Sequence, residues 1–150
     1  MNPKNMKEQL IALSLLLGTL SMQGQATNDS TAFRAYIYNK EYDVYMRINF
    51  YEQDVIISWE EMFGPLPGFL SKKSNNFCWI ITEAKIDGNK AELEMVNDYG
   101  SEDLVATLTQ ENDSVYTLRQ GAGSTIKVPN KGKWQKLPST LTFIRRKTEK

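Results

Sequence analysis

The stretch YDVYMRINFY, from Tyr42 to Tyr51, shows the clearest strand pattern of the chain. Its hydrophobic members recur at every second position, as Tyr42, Val44, Met46, Ile48 and Phe50. Successive side chains of a β-strand point to opposite faces, so this pattern predicts a strand with one buried face. The run from Phe33 to Tyr38 alternates in the same way, and the polar link at 39–41 is short enough to join the two runs as a hairpin.

Similar alternating runs recur along the rest of the chain. The clearest turn between them is Asp87-Gly88-Asn89, because glycine and asparagine tolerate a positive φ. We interpret Gly121-Ala122-Gly123 as another turn and residues 129–138 as a loop. About nine strands with short connections favour an antiparallel up-and-down meander. Closure removes exposed strand edges, so we predict an all-β protein with a small barrel, and a two-sheet β-sandwich is the alternative.

This pattern resembles a known family. The last predicted strand reads LTFIRR (141–146) and precedes a basic tail, while the first reads FRAYIYN (33–39). Together with the meander, these features are similar to the small lipocalin-like (calycin) barrels of secreted bacterial proteins. The Gly-x-Trp signature of that family is absent from the first strand. The resemblance implies a lipocalin-like barrel in which Arg145 or Arg146 takes the place of the basic residue that covers the signature tryptophan.

The N-terminal segment predicts secretion. Two lysines precede an apolar run of 11 residues from Leu10 to Leu20, and small residues follow at positions 24 and 26. This is the pattern of a secretory signal peptide, which we place at residues 1–26. The apolar run is shorter than the roughly 20 residues that a membrane-spanning helix needs. We therefore expect residues 27–150 to form a single soluble domain in the periplasm or outside the cell.

Composition bears on the chemistry. The chain has no histidine and a single cysteine, Cys78, which excludes the usual zinc sites and nucleophile pairs that contain histidine. We predict no cofactor, no metal site and no enzymatic activity; a hydrolase built on paired carboxylates is the least favoured hypothesis. The charge is uneven, since residues 27–118 carry a net −9 and residues 119–150 a net +8. There are two alternative roles for the basic region: it binds an anionic partner, or it lies beside acidic strands whose charge it balances.

The segment EEMFGPLPGFL (60–70) is unusual because it is both apolar and rich in proline and glycine. Ser58 and Glu61 have the spacing of a capping box, which predicts a short helical turn over residues 59–63. Pro65 and Pro67 then remove two backbone donors and argue against regular structure. The segment has three alternative roles: a lid over an open barrel end, a plug that completes the core, or an exposed patch for a partner.

Two functional hypotheses follow. The first is a secreted binding protein that holds a small apolar or amphipathic ligand at the barrel mouth under the 59–70 segment. Its expected ligand-binding residues are Trp59, Met62, Phe63, Leu66, Phe69 and Trp79. The second is a protein-binding module, such as an inhibitor of an envelope enzyme, that uses the basic C-terminal region or four residues of the first hairpin. Those four residues, Tyr36, Tyr38, Tyr45 and Arg47, are called the tyrosine face below. We expect neither nucleic acid nor a membrane anchor as a partner.

Overall fold

The computed structural model describes residues 31–147, and the predicted signal peptide lies outside them. This part of the chain contains ten β-strands and one short 3-10 turn, Glu61–Phe63. The strands are β1 Arg34–Asn39, β2 Val44–Asn49, β3 Gly68–Lys72, β4 Cys78–Asp87, β5 Lys90–Asn97, β6 Asp103–Gln110, β7 Val115–Gly123, β8 Lys127–Asn130, β9 Lys133–Lys136 and β10 Thr140–Arg146.

Eight of these strands form a closed antiparallel barrel in the order β1-β10-β7-β6-β5-β4-β3-β2. The closure joins the first strand to the last, with Tyr36 opposite Arg146 and Tyr38 opposite Ile144. The remaining two strands, β8 and β9, pair only with each other as a separate hairpin. The predicted all-β barrel and its meander order are thus confirmed, and the closed barrel is compatible with a lipocalin-like architecture.

The interior of the barrel is built from the alternation that the sequence displays. On β2, Val44, Met46 and Ile48 are buried, whereas Arg47 between them is exposed. The same inward alternation continues on β5 through Ala91, Leu93 and Met95 and on β10 through Leu141 and Phe143. Burying large apolar side chains contributes about 1.5–3 kcal/mol each, so this continuous interior is the main stabilising feature of the fold.

Different groups cover the two ends of the barrel. The β8–β9 hairpin lies over one end, where Ile126, Val128 and Leu137 join the interior cluster. At the other end, Arg145 on β10 faces inward and donates hydrogen bonds to the Tyr116 hydroxyl and to the carbonyl of Thr31 at 3.1 Å. The resemblance implied that Arg145 or Arg146 takes the place of a basic residue that covers the signature tryptophan. The first strand has no such tryptophan, and the guanidinium of Arg145 lies over the ring of Tyr116 on β7.

Three local interpretations differ from the structure. The proline-rich 60–70 segment includes the first residues of strand β3, Gly68 to Leu70. The loop predicted at 129–138 contains the β8–β9 hairpin, whose turn at Lys131 and Gly132 has positive φ at both residues. The glycines at 121 and 123 do not form a turn but lie within β7, at a register shift against β6.

The short helical turn is confirmed, although its cap differs from the predicted one. It spans Glu61–Phe63, and Glu60 at its start makes no side-chain capping hydrogen bond. The backbone N–H of Gly64 donates to the carbonyl of Glu61 at 3.0 Å, and Gly64 leaves the turn with a φ of 64°. A left-handed residue of this kind favours glycine, which explains why the turn ends there.

Candidate functional site

The six residues expected to bind a ligand are not gathered in one pocket. Trp79 is completely buried on the interior side of β4, and its indole N–H donates to the carbonyl of Lys127 at 2.9 Å. Met62 and Phe63 lie at the opposite extreme, on the surface, with 93% and 39% of their area exposed. The other three, Trp59, Leu66 and Phe69, lie outside the barrel wall and away from the interior cluster.

The segment 55–66 packs on the outer face of β2, β3 and β4. Phe69 points outward, because Leu70 beside it belongs to the interior cluster, yet Phe69 is only 1% exposed. The ring of Trp59 meets that of Phe69 edge-on at 5.6 Å, and Leu66 pairs with Val55 in an isolated antiparallel bridge. We call this group the outer-wall cluster; its members are Ile57, Phe69, Cys78 and Ile80, with Tyr45, Val55, Trp59, Leu66 and Val96 packed against them.

This arrangement differs from both a lid and a plug. Trp59 is fixed by a hydrogen bond from its indole N–H to the carbonyl of Asn76 at 2.7 Å, so the segment is tied to the β3–β4 connection. Its apolar side chains cover the wall of the barrel and leave both ends to other groups. Only Met62 and Phe63, on the 3-10 turn, correspond to the third alternative, an exposed patch.

The tyrosine face is assembled as expected on the outside of the first hairpin. Strand β1 lies between β10 and β2, which places Tyr36 opposite Arg146 on one side and opposite Arg47 on the other. The rings of Tyr36 and Tyr45 stack at 5.3 Å with an angle of 22° between their planes. The guanidinium of Arg146 lies 4.5 Å from the centre of the Tyr38 ring. One row across β10, β1 and β2 therefore reads Arg146, Tyr36 and Arg47, and the next reads Ile144, Tyr38 and Tyr45.

A groove of about 880 Å³ runs beside this face, at the barrel end that Arg145 covers. We call it the basic groove; it is lined by Arg34, Ala35, Tyr36, Arg47, Ile48, Asn49, Asp54, Val55, Ile56, Ser114, Arg145, Arg146 and Lys147. Five of these thirteen residues are basic and one is acidic, so the groove attracts anions. The residues 54–56 that lead into the outer-wall cluster form one of its walls.

The cations of the groove differ in how they are satisfied. Arg34 forms an ion pair with Glu52 at 3.1 Å, and Arg145 donates a hydrogen bond to the carbonyl of Thr31 at the end of the barrel. Within residues 31–147, no carboxylate lies at ion-pair distance from Arg47 or Arg146. Elsewhere in the basic C-terminal region, Lys127 pairs with Glu102 at 3.1 Å. The basic C-terminal region therefore complements an acidic side chain at Lys127, whereas its Arg146 has no carboxylate partner among the described residues.

The tyrosines of this face remain protonated donors over a wide pH range. Burial is the largest cause that raises the pKa of Tyr36, against the opposing effect of Arg146 and Arg47. A hydrogen bond from the Tyr38 hydroxyl to Asp43, at 2.6 Å, raises the pKa of that phenol. Burial likewise raises the pKa of Tyr45. The Tyr38 hydroxyl already donates to Asp43. At neutral pH the face therefore offers the guanidinium N–H groups of Arg47 and Arg146 and the phenol O–H of Tyr36, donors suited to carboxylates.

Comparisons with known proteins found no matching family model, no matching curated protein and no matching solved structure. In the part of the chain that the structure describes, no helix is long and apolar enough to cross a membrane. The same residues contain no group of three or more acidic or cysteine side chains that could hold a metal ion.

Sequence reasoning found the tyrosine face but not the whole groove. Arg146 was singled out only through the family resemblance, and its place between Tyr36 and Tyr38 depends on the closure of β1 against β10. Arg34 shares a face with Tyr36 by simple alternation. Residues 54–56 could not be assigned to this site from sequence, because their position follows from the bridge between Val55 and Leu66.

Proposed function

We propose that this protein is a non-catalytic binding module that recognises an acidic segment of a partner protein. The binding surface consists of the tyrosine face and the adjoining basic groove. The observation that carries the proposal is the row of side chains across β10, β1 and β2, in which Tyr36 lies between Arg146 and Arg47. Among residues 31–147, neither of these guanidinium groups has an ion-pair partner.

The chemistry of this row suits a peptide that carries carboxylates. A guanidinium binds a carboxylate through two parallel hydrogen bonds, which gives both affinity and a defined orientation. Tyrosine supplies a large, rigid contact area and a donor at its end, and arginine and tyrosine are both enriched in protein interfaces. The stacked pair of Tyr36 and Tyr45 is already held in place, so binding orders few additional side chains.

The interior of the barrel offers less support for the small-ligand hypothesis. Large side chains from different strands, including Trp79, Phe143 and Met46, are completely buried in the interior cluster. A barrel of eight strands is just wide enough to be filled by its own side chains. Binding under the 59–70 segment would also displace Trp59 from Phe69. A small apolar ligand stays a prediction, and the geometry favours the outer surface.

The proposal is tested with a defined acidic probe. The protein is titrated with a synthetic peptide of glutamate residues that includes one phenylalanine, and binding is measured by isothermal titration calorimetry at several salt concentrations. We expect saturable one-to-one binding that weakens as ionic strength rises, because exposed charges are screened within about 8 Å at physiological salt. A peptide in which lysine replaces every glutamate serves as the control and is expected not to bind.

Matched variants locate the interaction. Replacing both Arg47 and Arg146 by serine is expected to weaken binding of the acidic peptide about tenfold, since each exposed charge pair contributes up to about 1 kcal/mol and about 1.4 kcal/mol corresponds to tenfold. Arg119→Ser is the control, because Arg119 is an exposed arginine on β7 that does not line the groove. The proposal would be refuted if the variant without Arg47 and Arg146 bound the peptide as tightly as the Arg119→Ser control.

A further inference from the structure

A second groove, of about 560 Å³, opens at the other end of the barrel. Its walls are the β1–β2 connection, the end of β3 with the residues that follow it, and the tip of the β8–β9 hairpin. The charged residues among those that line it are Glu41, Asp43, Lys72 and Lys131. We call it the rim groove. It shares no lining residue with the basic groove, although its Asp43 accepts a hydrogen bond from Tyr38 of the tyrosine face.

Lys72 is the unusual member of this groove. It lies two residues after Leu70 on β3 and pairs with Val44, and both of these residues face the interior. The side chain of Lys72 therefore lies on the inward side of the wall. It is only 8% exposed, and within the described part of the chain it has neither a hydrogen-bond acceptor nor an ion-pair partner. A lysine can bury its carbon chain and still place its ammonium group at the edge of a polar groove. The nitrogen of Lys72 is not among the buried polar atoms without a partner in the described chain, so the ammonium group reaches the groove and can bind an anionic group there.

The other charges of the rim groove restrict the ligand. The two lysines are balanced by Glu41 and Asp43, so the four charged residues sum to zero. Glu41 is exposed and has no ion-pair partner among residues 31–147, and one carboxylate oxygen of Asp43 accepts the Tyr38 hydroxyl. A simple anion would be attracted by Lys72 but repelled by the two carboxylates. A molecule that carries both charges meets a complementary group at each end.

We infer that the rim groove binds a small zwitterion of the peptide class, with its carboxylate on the ammonium group of Lys72. Its amino group then faces the carboxylates of Glu41 and Asp43 on the β1–β2 connection. The volume of the groove admits a dipeptide as well as a free amino acid. Asn75, Asn130 and Gln135 also line the groove and supply amide groups that can pair with a peptide bond.

The probe for this site is L-alanyl-L-alanine, titrated into the protein and followed by calorimetry and by NMR of the lysine side chains. Two related compounds each remove one charge: N-acetyl-alanyl-alanine lacks the ammonium group, and alanyl-alanine amide lacks the carboxylate. We expect saturable binding of the dipeptide, a shift of the Lys72 side-chain resonances, and at least about tenfold weaker binding of both related compounds.

Variants separate Lys72 from its surroundings. Lys72→Met keeps the buried carbon chain and is expected to bind the dipeptide at least about tenfold more weakly. Lys73→Met is the matched control, because Lys73 is exposed and does not line the groove. Glu41→Gln, an exposed change that leaves the core intact, is expected to reduce the preference for the dipeptide over its N-acetyl form.

Three results would overturn the inference. The first is the absence of saturable binding to the unmodified protein up to millimolar dipeptide. The second is equal binding by Lys72→Met and Lys73→Met. The third is equal binding of the dipeptide and its N-acetyl form, since that result would assign the groove to anions in general.

Discussion

Replacing Phe69 by alanine is expected to destabilise the protein about as much as replacing its neighbour Leu70. The two residues face opposite sides of β3, yet they are only 1% and 0% exposed. Phenylalanine-to-alanine changes in a core cost about 3–5 kcal/mol and leucine-to-alanine changes about 2–5 kcal/mol. Phe69 also makes edge-on contacts with Trp59 at 5.6 Å and Tyr45 at 5.9 Å, which favours the upper part of its range. We expect a loss of about 4 kcal/mol for Phe69→Ala.

The assay is equilibrium unfolding in urea, followed by far-ultraviolet circular dichroism so that a change near Trp59 does not disturb the signal. With a slope of about 2 kcal/mol per molar urea, the loss corresponds to a midpoint about 2 M lower. Met62→Ala is the control, because Met62 lies in the same segment but is 93% exposed, and we expect a change within about 0.5 kcal/mol. A cost below about 1 kcal/mol for Phe69→Ala, with Leu70→Ala near 3, would refute an outer-wall cluster.

Three further outcomes are expected. Burial raises the pKa of Asp98, and one of its carboxylate oxygens has no hydrogen bond in the described structure. Because the folded pKa is raised, the stability from Asp98 is present below the unfolded pKa of about 3.9 and is lost as pH rises through the folded pKa. Asp98→Asn should therefore raise Tm at pH 7 and not at pH 3, and an unchanged Tm at pH 7 would contradict this. Gly68→Ala places a Cβ against the carbonyl oxygen of Arg47, and we expect a loss of about 1–3 kcal/mol in urea unfolding, which an unchanged midpoint would exclude. Burial raises the pKa of the Cys78 thiol to about 12, so iodoacetamide at pH 8 should modify the unfolded chain much faster than the native protein by intact mass, and equal rates would show that the thiol is accessible.

The sequence predicts those strands that have one solvated face. The alternation from Tyr42 to Tyr51 and the Asp87-Gly88-Asn89 turn are recognisable because polar residues mark the outer side. Strand β3 was missed because Phe69 and Leu70 are both buried, so the strand shows no alternation. Its outer side is covered by the segment 55–66, and this contact between distant parts of the chain leaves no periodic signal.

The glycines of β7 were misinterpreted for a related reason. A glycine pair between two polar runs is typical of a turn. In the structure, a Cβ at Gly123 would lie 2.6 Å from the carbonyl oxygen of Asp103, and one at Gly121 would lie 3.1 Å from that of Val105. Glycine is needed there because the β6 backbone approaches closely at a register shift, which only the pairing of the strands reveals.

The candidate site was partly predictable on the same grounds. Tyr36, Tyr38, Tyr45 and Arg47 share a face by alternation alone, and the register of the hairpin confirms that they do. Arg146 completes the row only because β10 closes the barrel against β1, more than 100 residues away in the sequence. The burial of Lys72 was also not predictable from the sequence, because two adjacent lysines are typical of a surface. Only the structure shows that Leu70 faces inward, and Lys72, two residues further along the strand, therefore faces inward as well.

NMR can locate the surface of the protein that binds the acidic peptide. The backbone amide resonances are recorded during the titration, and the shifted residues are placed on the barrel. We expect the changes to concentrate at Tyr36, Arg47 and Arg146, on the outer face of β1, β2 and β10. Changes centred instead on Trp79 in the interior, or on Trp59 in the outer-wall cluster, would contradict the account and return the small-ligand hypothesis to first place.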